Sequence, residues 1–130
     1  MKILNKRATF DYEIAEKLEA GIQLYGFEVK SVREGSADLT GSFVKIIGEE
    51  AFLINAKIFP YKYARPEHYD ENRTRKLLLH RNEIIALQSK MKGQNQALIP
   101  LSLYTTKQFI KVELALGKGK KQYDKRAARS

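Results

Sequence analysis

The sequence predicts a mainly β protein of the α+β class, in which antiparallel strands close into a small barrel. Alternating apolar and polar residues mark several runs, turn residues separate these runs, and only short segments show a helical period. Six strands are expected, and closing them into a barrel hides the sheet edges from other chains. The 130 residues, 43% of them apolar, are enough for one domain with its own core.

The first long strand is predicted over residues 12–24, where apolar side chains occupy even-numbered positions such as Tyr12, Ile14 and Leu18. A helix over the same residues is the alternative, because Ala, Glu, Lys and Leu favour helical backbone. The alternation continues past Gly21, which favours the strand.

The period then changes to that of a short helix over residues 26–35. Tyr25, Val29 and Val32 are spaced to pack one apolar stripe on the sheet. Gly35 is expected in the left-handed conformation just after the helix. The polar side of the helix is predicted to expose Glu28, Lys30 and Arg33.

A β-hairpin is predicted next, after a turn over residues 36–42. FVKII and AFLINAKI alternate in polarity around a Gly-containing turn, so strands are expected over 43–47 and 51–58. The polar, proline-containing segment at 60–73 is predicted to be a long loop.

The last third of the chain adds three strands and one helix. RKLLLH at 75–80 is predicted to be a strand that is buried on both faces across its leucines. Residues 81–93 form an amphipathic pattern that predicts a helix. Two further strands are joined by a turn near 106–108, and Pro100 is expected at an edge or a bulge.

Positive charge is concentrated in the second half of the chain. Residues 1–70 contain ten Lys and Arg against eleven Asp and Glu, whereas residues 71–130 contain fourteen against four. A solubilising surface rarely shows such asymmetry. A polyanionic partner, most often a nucleic acid, is therefore predicted.

The composition argues against several other classes of protein. No apolar run approaches the ~20 residues of a membrane helix, and the first residues are not apolar enough for a signal peptide. Without cysteine there are no disulfides or thiolate chemistry, which fits a reducing cytoplasm. Two histidines alone argue against a structural zinc site, and no cofactor, metal site or catalytic set is predicted.

The segment GKGKKQYDKRAARS at 117–130 is predicted to be a basic tail that follows a domain over residues 1–116. Six of its fourteen residues are Lys or Arg. Its glycines permit backbone shapes that let Lys118, Lys120 and Lys121 follow a chain of phosphates. A solvated terminus without a partner is the alternative.

A second basic segment, RTRK, begins at Arg73. Arg73 and Arg75 share a strand parity, so they are expected to point the same way and to bind phosphate bidentately. Lys76 would point oppositely, and ordinary edge-strand charge is the alternative reading of all three residues. We expect this segment, the N-terminal NKR and the tail to form one continuous cationic surface.

Two further residues are singled out as candidate RNA contacts. His80 lies between an apolar run and a helix, so it is expected either to cap the helix or to stack on RNA. Glu19 lies on the polar parity of its strand and is expected to face outward. On an RNA-binding surface its carboxylate can accept hydrogen bonds from base or 2′-OH donors.

Several strings, in this order and spacing, resemble the SsrA-binding protein (SmpB) family. They are NKRA, EAGIQLYGFEVKSVREG, EAFLINAKIFPY, RTRKLLLHRNEI, ALIPLSLY and GKGKKQYDKR. One piece such as GKGKK is a weak signal, but the ordered set covers nearly the whole chain and is specific.

The resemblance implies a bacterial, cytoplasmic RNA-binding protein that is not an enzyme. Its fold would be a six-stranded antiparallel barrel related in shape to oligonucleotide-binding (OB) barrels, with about three helices. The family binds the tRNA-like domain of transfer-messenger RNA (tmRNA) and helps bring it to stalled ribosomes, where the unfinished peptide is tagged. The expected partners are tmRNA and the ribosome, with elongation factor Tu and GTP reached indirectly through the RNA.

Carried over by position, the resemblance assigns functional residues to several segments. The RNA-binding residues are Asn5, Lys6 and Arg7 in the basic lead, Glu19 and Gly21 in the EAG motif, Leu78 and His80 after RK, and the lysines Lys118, Lys120 and Lys121. The DKR residues Asp124, Lys125 and Arg126 would contact the decoding region of the ribosome.

Two alternatives stay open at this point. Family members usually continue beyond DKR with a longer charged tail, so the tail here is expected to be either truncated or unusually short. The alternative function is a generic basic ribosome-associated barrel without preference among structured RNAs.

Overall fold

The structure, a computed structural model, describes residues 2–61 and 67–120 of the chain. Within these residues it contains nine strands and three helices. In chain order they are β1 (Lys2–Leu4), α1 (Ala8–Asp11), β2 (Tyr12–Ile22), α2 (Gly26–Arg33), β3 (Ala37–Asp38), β4 (Phe43–Ile47), β5 (Glu50–Ile54), β6 (Lys57–Ile58), β7 (Arg75–Leu78), α3 (Arg81–Gly93), β8 (Ala97–Thr105) and β9 (Ile110–Gly119).

Six of these strands close into an antiparallel ring, which confirms the predicted fold class. Around the ring the order is β8, β4, β5, β7, β2 and β9, and β9 pairs back with β8. β4 pairs with the first part of β8, where Val44 lies opposite Leu98. The later part of the same edge of β8, residues 102–104, pairs with β1. The six strands are those predicted from alternation, whereas β1, β3 and α1 are additions. The strand predicted over 51–58 is split into β5 and β6, and β6 pairs with β3 in a separate two-stranded sheet.

The interior of the ring is filled by inward-facing residues of all six strands. Leu53, Leu77 and Leu114 are among those with 1% exposure or less. Val32 of α2 and Leu87 of α3 join the same cluster, so both predicted helices pack on the core. Burying each such side chain stabilises the fold by roughly 1.5–3 kcal/mol relative to leaving it exposed.

A β-bulge divides β2 into two parts with different faces. The pairing with β9 shifts between Ile14 and Glu16. Beyond the bulge, Leu18 packs on the main core inside the ring. Before it, Tyr12 and Ile14 pack on a second cluster, which consists of Ala8, Ile99, Leu101 and Ala115.

Two residues of the last strands have local structural roles. Gly117 lies opposite the bulge, where a Cβ atom would sit 2.7 Å from the carbonyl oxygen of Glu13. This close approach, rather than a curved path along phosphates, accounts for the glycine. Pro100 lies at a register shift in β8, as predicted. Residues 117–119, which were assigned to the tail, belong to β9.

A buried carboxylate joins α2 to β7 and to the loop before it. Glu28 has 0% exposure and accepts hydrogen bonds from the guanidinium groups of both Arg73 and Arg75. The hydroxyl of Tyr69 donates to the same carboxylate at 2.7 Å. Arg75 also donates to the carbonyl oxygen of Ala56, which lies between β5 and β6. We term Glu28, Tyr69, Arg73 and Arg75 the buried network.

The hydrogen bonds of the buried network keep Glu28 ionised. Burial alone would raise the pKa of Glu28, but hydrogen bonds from Arg73, the Tyr25 backbone N–H, Tyr69 and Arg75 outweigh this effect. The pKa therefore lies below its ordinary value of 4.5.

The buried network overturns two predictions. Glu28 is not exposed on α2, and Arg75, with 0% exposure, has no surface with which to bind phosphate. Two burial predictions are also wrong. Leu78 is 49% exposed, so β7 is not buried on both faces, and Tyr25, placed in the packed stripe of α2, is 54% exposed. The left-handed Gly35, with φ of 78°, is confirmed.

We expect Glu28→Gln to lower the free energy of unfolding by about 3–5 kcal/mol, because two buried guanidinium groups lose their counter-charge. Denaturant unfolding at neutral pH measures this loss. The matched control is Glu16→Gln, which breaks an exposed ion pair with Lys90 and should cost less than about 1 kcal/mol. Equal small losses in both variants would show that the buried network does not stabilise the fold.

The stabilisation by Glu28 should also depend on pH. The pKa of Glu28 is lower in the folded than in the unfolded protein, so its contribution is complete above pH 4.5 and is lost as the pH falls through the folded-state value. The difference in unfolding free energy between wild type and Glu28→Gln should therefore shrink on acidification below pH 4.5. A difference that grows in acid contradicts this sign.

Candidate RNA interface

One row of paired residues crosses the outward side of β7, β2, β9 and β8. Leu78 lies opposite Gly21, Gly21 opposite Lys111, and Lys111 opposite Tyr104. Paired residues on neighbouring strands point to the same side of a sheet. In the next row Glu19 lies opposite Glu113. We term this surface the outer face and define it by Glu19, Gly21, Leu78, Tyr104 and Lys111.

The middle of the outer face is flat and apolar. Gly21 has no side chain, and a Cβ atom there would lie 3.2 Å from Cβ of Leu78. The Leu78 side chain thus lies beside the bare backbone of β2 and is itself half-exposed. The backbone or ribose of a partner can therefore approach the sheet closely at this point.

Two neighbours hold the carboxylate of Glu19 at the outer face. The hydroxyl of Tyr104 donates a hydrogen bond to Oε2, and Nζ of Lys111 lies 3.6 Å from Oε1. The Glu19 side chain is still 54% exposed, so its predicted outward orientation is confirmed. A carboxylate accepts about four hydrogen bonds, which leaves acceptor sites for a ligand.

The interaction with Glu19 also fixes the proton of Tyr104. Burial, the hydrogen bond to Glu19 and the negative charges of Glu19 and Glu113 raise the pKa of Tyr104 from 10.0 to about 12. Tyr104 is therefore a hydrogen-bond donor throughout the neutral range, and it orients Glu19.

A cleft of about 430 Å³ borders the outer face beside Leu78. Lys76 and His80 line it, together with the acidic turn between β4 and β5. Nζ of Lys76 lies 3.3 Å from a carboxylate oxygen of Glu50. The backbone N–H of His80 donates to the carboxylate of Glu83, so His80 stands at the start of α3 with an exposed side chain.

The remaining predicted basic contacts lie around α1, at the other end of β2 and β9. The amide of Asn5 donates to the carbonyl oxygen of Pro100, and Nζ of Lys120 donates to that of Thr9. The guanidinium of Arg7 lies 3.2 Å from Asp11. Two exposed cations complete the group, namely Lys6 and Lys118.

Comparison with known proteins identifies the family. The sequence matches the family described as SmpB protein over residues 2–130. The chain belongs to the SmpB family. An SsrA-binding protein of Malacoplasma penetrans is 48% identical over 97% of this chain and 88% of its own length. An SsrA-binding protein of Syntrophobacter fumaroxidans is 52% identical over 94% of this chain and 76% of its own length.

A solved structure has the same fold. It is described as "tmRNA-SmpB: a journey to the center of the bacterial ribosome" and matches with a TM-score of 0.78 at 41% sequence identity. The match covers 98% of this chain and 94% of the other chain. The fold of this chain is thus that of an SmpB protein along nearly all of its length.

Within the described residues, the continuous cationic surface expected from the sequence is not present. Arg75 is buried, and Arg73 is mostly buried against Glu28. Successive residues of β9 point to opposite sides, so Lys118 and Glu113 lie on different sides of the strand, and Glu113 is the partner of Glu19. Residues Lys121, Asp124, Lys125 and Arg126 lie outside the described residues.

Only some of the predicted RNA-binding residues of this SmpB chain lie together on the outer face. Glu19, Gly21 and Leu78 meet on the outer face, with Lys76 and His80 at its edge. The sequence interpretation missed Tyr104 and Lys111. Their hairpin was predicted, but alternation does not reveal that β9 pairs with β2 and thereby brings both residues to Glu19.

Two negative findings concern the described ranges 2–61 and 67–120. No group of three or more His, Cys, Asp or Glu side chains is placed to hold a metal ion there. No helix within the same ranges is long and apolar enough to cross a membrane.

Tyr104 should titrate abnormally. In the chain labelled with ¹³C at tyrosine Cζ, we expect the chemical shift of Tyr104 to change with pH around a midpoint near 12. Burial and the charge of Glu19 both oppose formation of the phenolate. In Glu19→Gln the midpoint should move toward 10.0, because a neutral amide replaces the carboxylate. Loss of one signal in Tyr104→Phe assigns the resonance. A wild-type midpoint near 10.0 contradicts the proposed coupling.

Proposed function

We propose that this chain binds the tRNA-like domain of tmRNA and brings it to stalled ribosomes for trans-translation. The observation that carries the proposal is the match to the SmpB family over residues 2–130. The similar proteins are named SsrA-binding proteins, and the similar structure is described as tmRNA-SmpB in the bacterial ribosome. The chain acts as a non-catalytic adaptor in the bacterial cytoplasm, and elongation factor Tu with GTP takes part through the RNA.

The outer face is the docking surface for the RNA in this proposal. Gly21 and Leu78 offer a flat floor, Glu19 accepts hydrogen bonds from base or 2′-OH groups, and Lys111 supplies a cation beside it. Glu19 and Glu113 make the face mixed in charge. Recognition here therefore rests on shape and hydrogen bonding more than on bulk electrostatic attraction.

The basic group around α1 provides a second contact region. Lys6 and Lys118 are exposed, and β9 leads directly toward residues 120–130. We assign phosphate contacts to this region, with Asn5 and Arg7 holding its local structure through their bonds to Pro100 and Asp11. Lys121 adds to these phosphate contacts, whereas Asp124, Lys125 and Arg126 of the tail contact the decoding region of the ribosome.

Replacing Glu19 distinguishes hydrogen bonding from simple charge attraction. Removing an acidic residue from a surface that binds a polyanion should strengthen binding if only charge mattered. We expect Glu19→Ala instead to weaken binding of the tRNA-like domain by about tenfold or more, as the loss of a charge-assisted hydrogen bond does. The dependence of affinity on salt should be unchanged, because Glu19 touches no phosphate.

Gel-shift titration with Glu16→Ala as control measures this effect, since Glu16 is an exposed acid on the same strand that pairs with Lys90. Competition with bulk tRNA and duplex RNA tests specificity. Equal affinity for all three RNAs would favour a generic ribosome-associated barrel, and tighter binding by Glu19→Ala would remove the outer face from the interface.

A further inference from the structure

A groove of about 710 Å³ lies next to the outer face and has no role in the interface described above. It is lined by Gln23, Leu24, Tyr25, Phe52, Arg73, Thr74 and Lys76. The backbone N–H of Gln23 donates to the carbonyl oxygen of Lys76, two residues from the pair formed by Gly21 and Leu78. The groove is thus continuous with the outer face.

One end of the groove is an aromatic ring that is more exposed than a packing role requires. Tyr25 is 54% exposed, and the guanidinium carbon of Arg73 lies 4.1 Å from the centre of its ring. The ring of Phe27 stacks against Tyr25 with a centroid distance of 5.6 Å. Tyr25 is therefore held in place while much of its surface stays accessible.

The charge around the groove is positive. Glu28 is the one carboxylate shared by the guanidinium groups of Arg73 and Arg75, so this trio carries a net charge of about +1. Arg75 has no exposed surface, whereas the Arg73 side chain is 23% exposed. Lys76 is the second cation. Its ion pair with Glu50 is exposed, and Glu50 lies outside the described lining, which includes no acidic side chain.

We propose that this groove binds one unpaired nucleotide of the RNA, and this inference rests on the proposed function. The base stacks on the exposed part of the Arg73 guanidinium, which the ring of Tyr25 supports, with Phe52 and Leu24 as the apolar walls. The side-chain amide of Gln23 can both donate to and accept from a base edge. Lys76 contacts the adjoining phosphate. Sites for unpaired nucleotides commonly combine a cation for the phosphate with a stacking platform for the base.

An unpaired nucleotide fits this site better than a duplex segment. Stacking on an aromatic side chain or a guanidinium plane needs a base that is splayed out of its helix, as in loops and bulges. The groove lies beside a flat floor that suits a folded RNA. One flipped nucleotide can therefore enter the groove while the rest of the RNA lies on the outer face.

Substitutions at Tyr25 test the stacking step with the isolated tRNA-like domain as probe. Tyr25→Ala should lower the affinity by about tenfold, and Tyr25→Phe should stay within about twofold, because only the ring face is needed. Tyr25→Leu keeps apolar bulk over Arg73 but has no ring, so it should bind as weakly as Tyr25→Ala. Phe59→Ala removes another part-exposed aromatic outside the groove and should bind like wild type.

Two further readouts separate a contact from an indirect effect. Lys76→Gln should reduce the slope of log affinity against log salt by about one, and Tyr25→Ala should leave the slope unchanged. Photocrosslinking with 4-thiouridine at unpaired positions should join the RNA to the peptides that contain residues 23–25 or 73–76. Melting temperatures of the variants confirm that they are folded.

The outcomes distinguish this inference from the proposed function. If wild type binds the RNA, Tyr25→Ala binds equally well and crosslinks map elsewhere, the groove is not a nucleotide site and the function stands. If Tyr25→Leu restores wild-type affinity, Tyr25 has only a packing role and the inference is overturned. If wild type does not bind the tRNA-like domain, both proposals fall.

Discussion

The carboxylate of Glu28 is the interaction on which the rest of the structure depends. Buried in α2, it accepts hydrogen bonds from Arg73 and Arg75 at the start of β7 and from Tyr69 in the preceding loop. One ionised group thereby ties the helix, the loop and a ring strand together. A buried carboxylate is costly unless its acceptor sites are satisfied, and here several donors satisfy it. The arrangement also sets Arg73 over Tyr25 at the surface.

The same arrangement explains why the surface that we propose to face RNA is not simply the most basic one. The two arginines of RTRK are used mainly inside the protein. The outer face instead combines a glycine floor, a half-exposed leucine and a carboxylate that Tyr104 orients. In the proposed interface, specific hydrogen bonding and close approach dominate there, and the exposed lysines near α1 add charge at a distance. An adaptor built in this way can read RNA shape at one surface and hold phosphates at another.

Alternation and turn residues were sufficient to predict the six ring strands, helices α2 and α3, and the bulge at Pro100. They did not reveal the bulge in β2, because the even-numbered residues are apolar on both sides of it. Tyr12 and Ile14 pack on the second cluster before the bulge, and Leu18 packs on the main core after it. The parity of Arg73 and Arg75 was correct, since both reach Glu28, but parity does not say which side of a strand is buried. The two arginines face the interior because the carboxylate of Glu28, 47 residues before Arg75, lies there. Ordered motifs located Glu19, Gly21 and Leu78, and strand pairing alone brought Tyr104 and Lys111 beside them.

The central claim is that the outer face and the adjoining groove contact RNA while the buried network stays intact. The most direct test is an NMR titration of the ¹⁵N-labelled chain with the tRNA-like domain. Backbone shifts should concentrate in β2 from Glu19 onward, in β7 and in β9 near Lys111, while the guanidinium signals of Arg75 remain protected from exchange with water. Shifts confined to the exposed side of α3 and to the turn between β4 and β5, with β2 unaffected, would contradict the account.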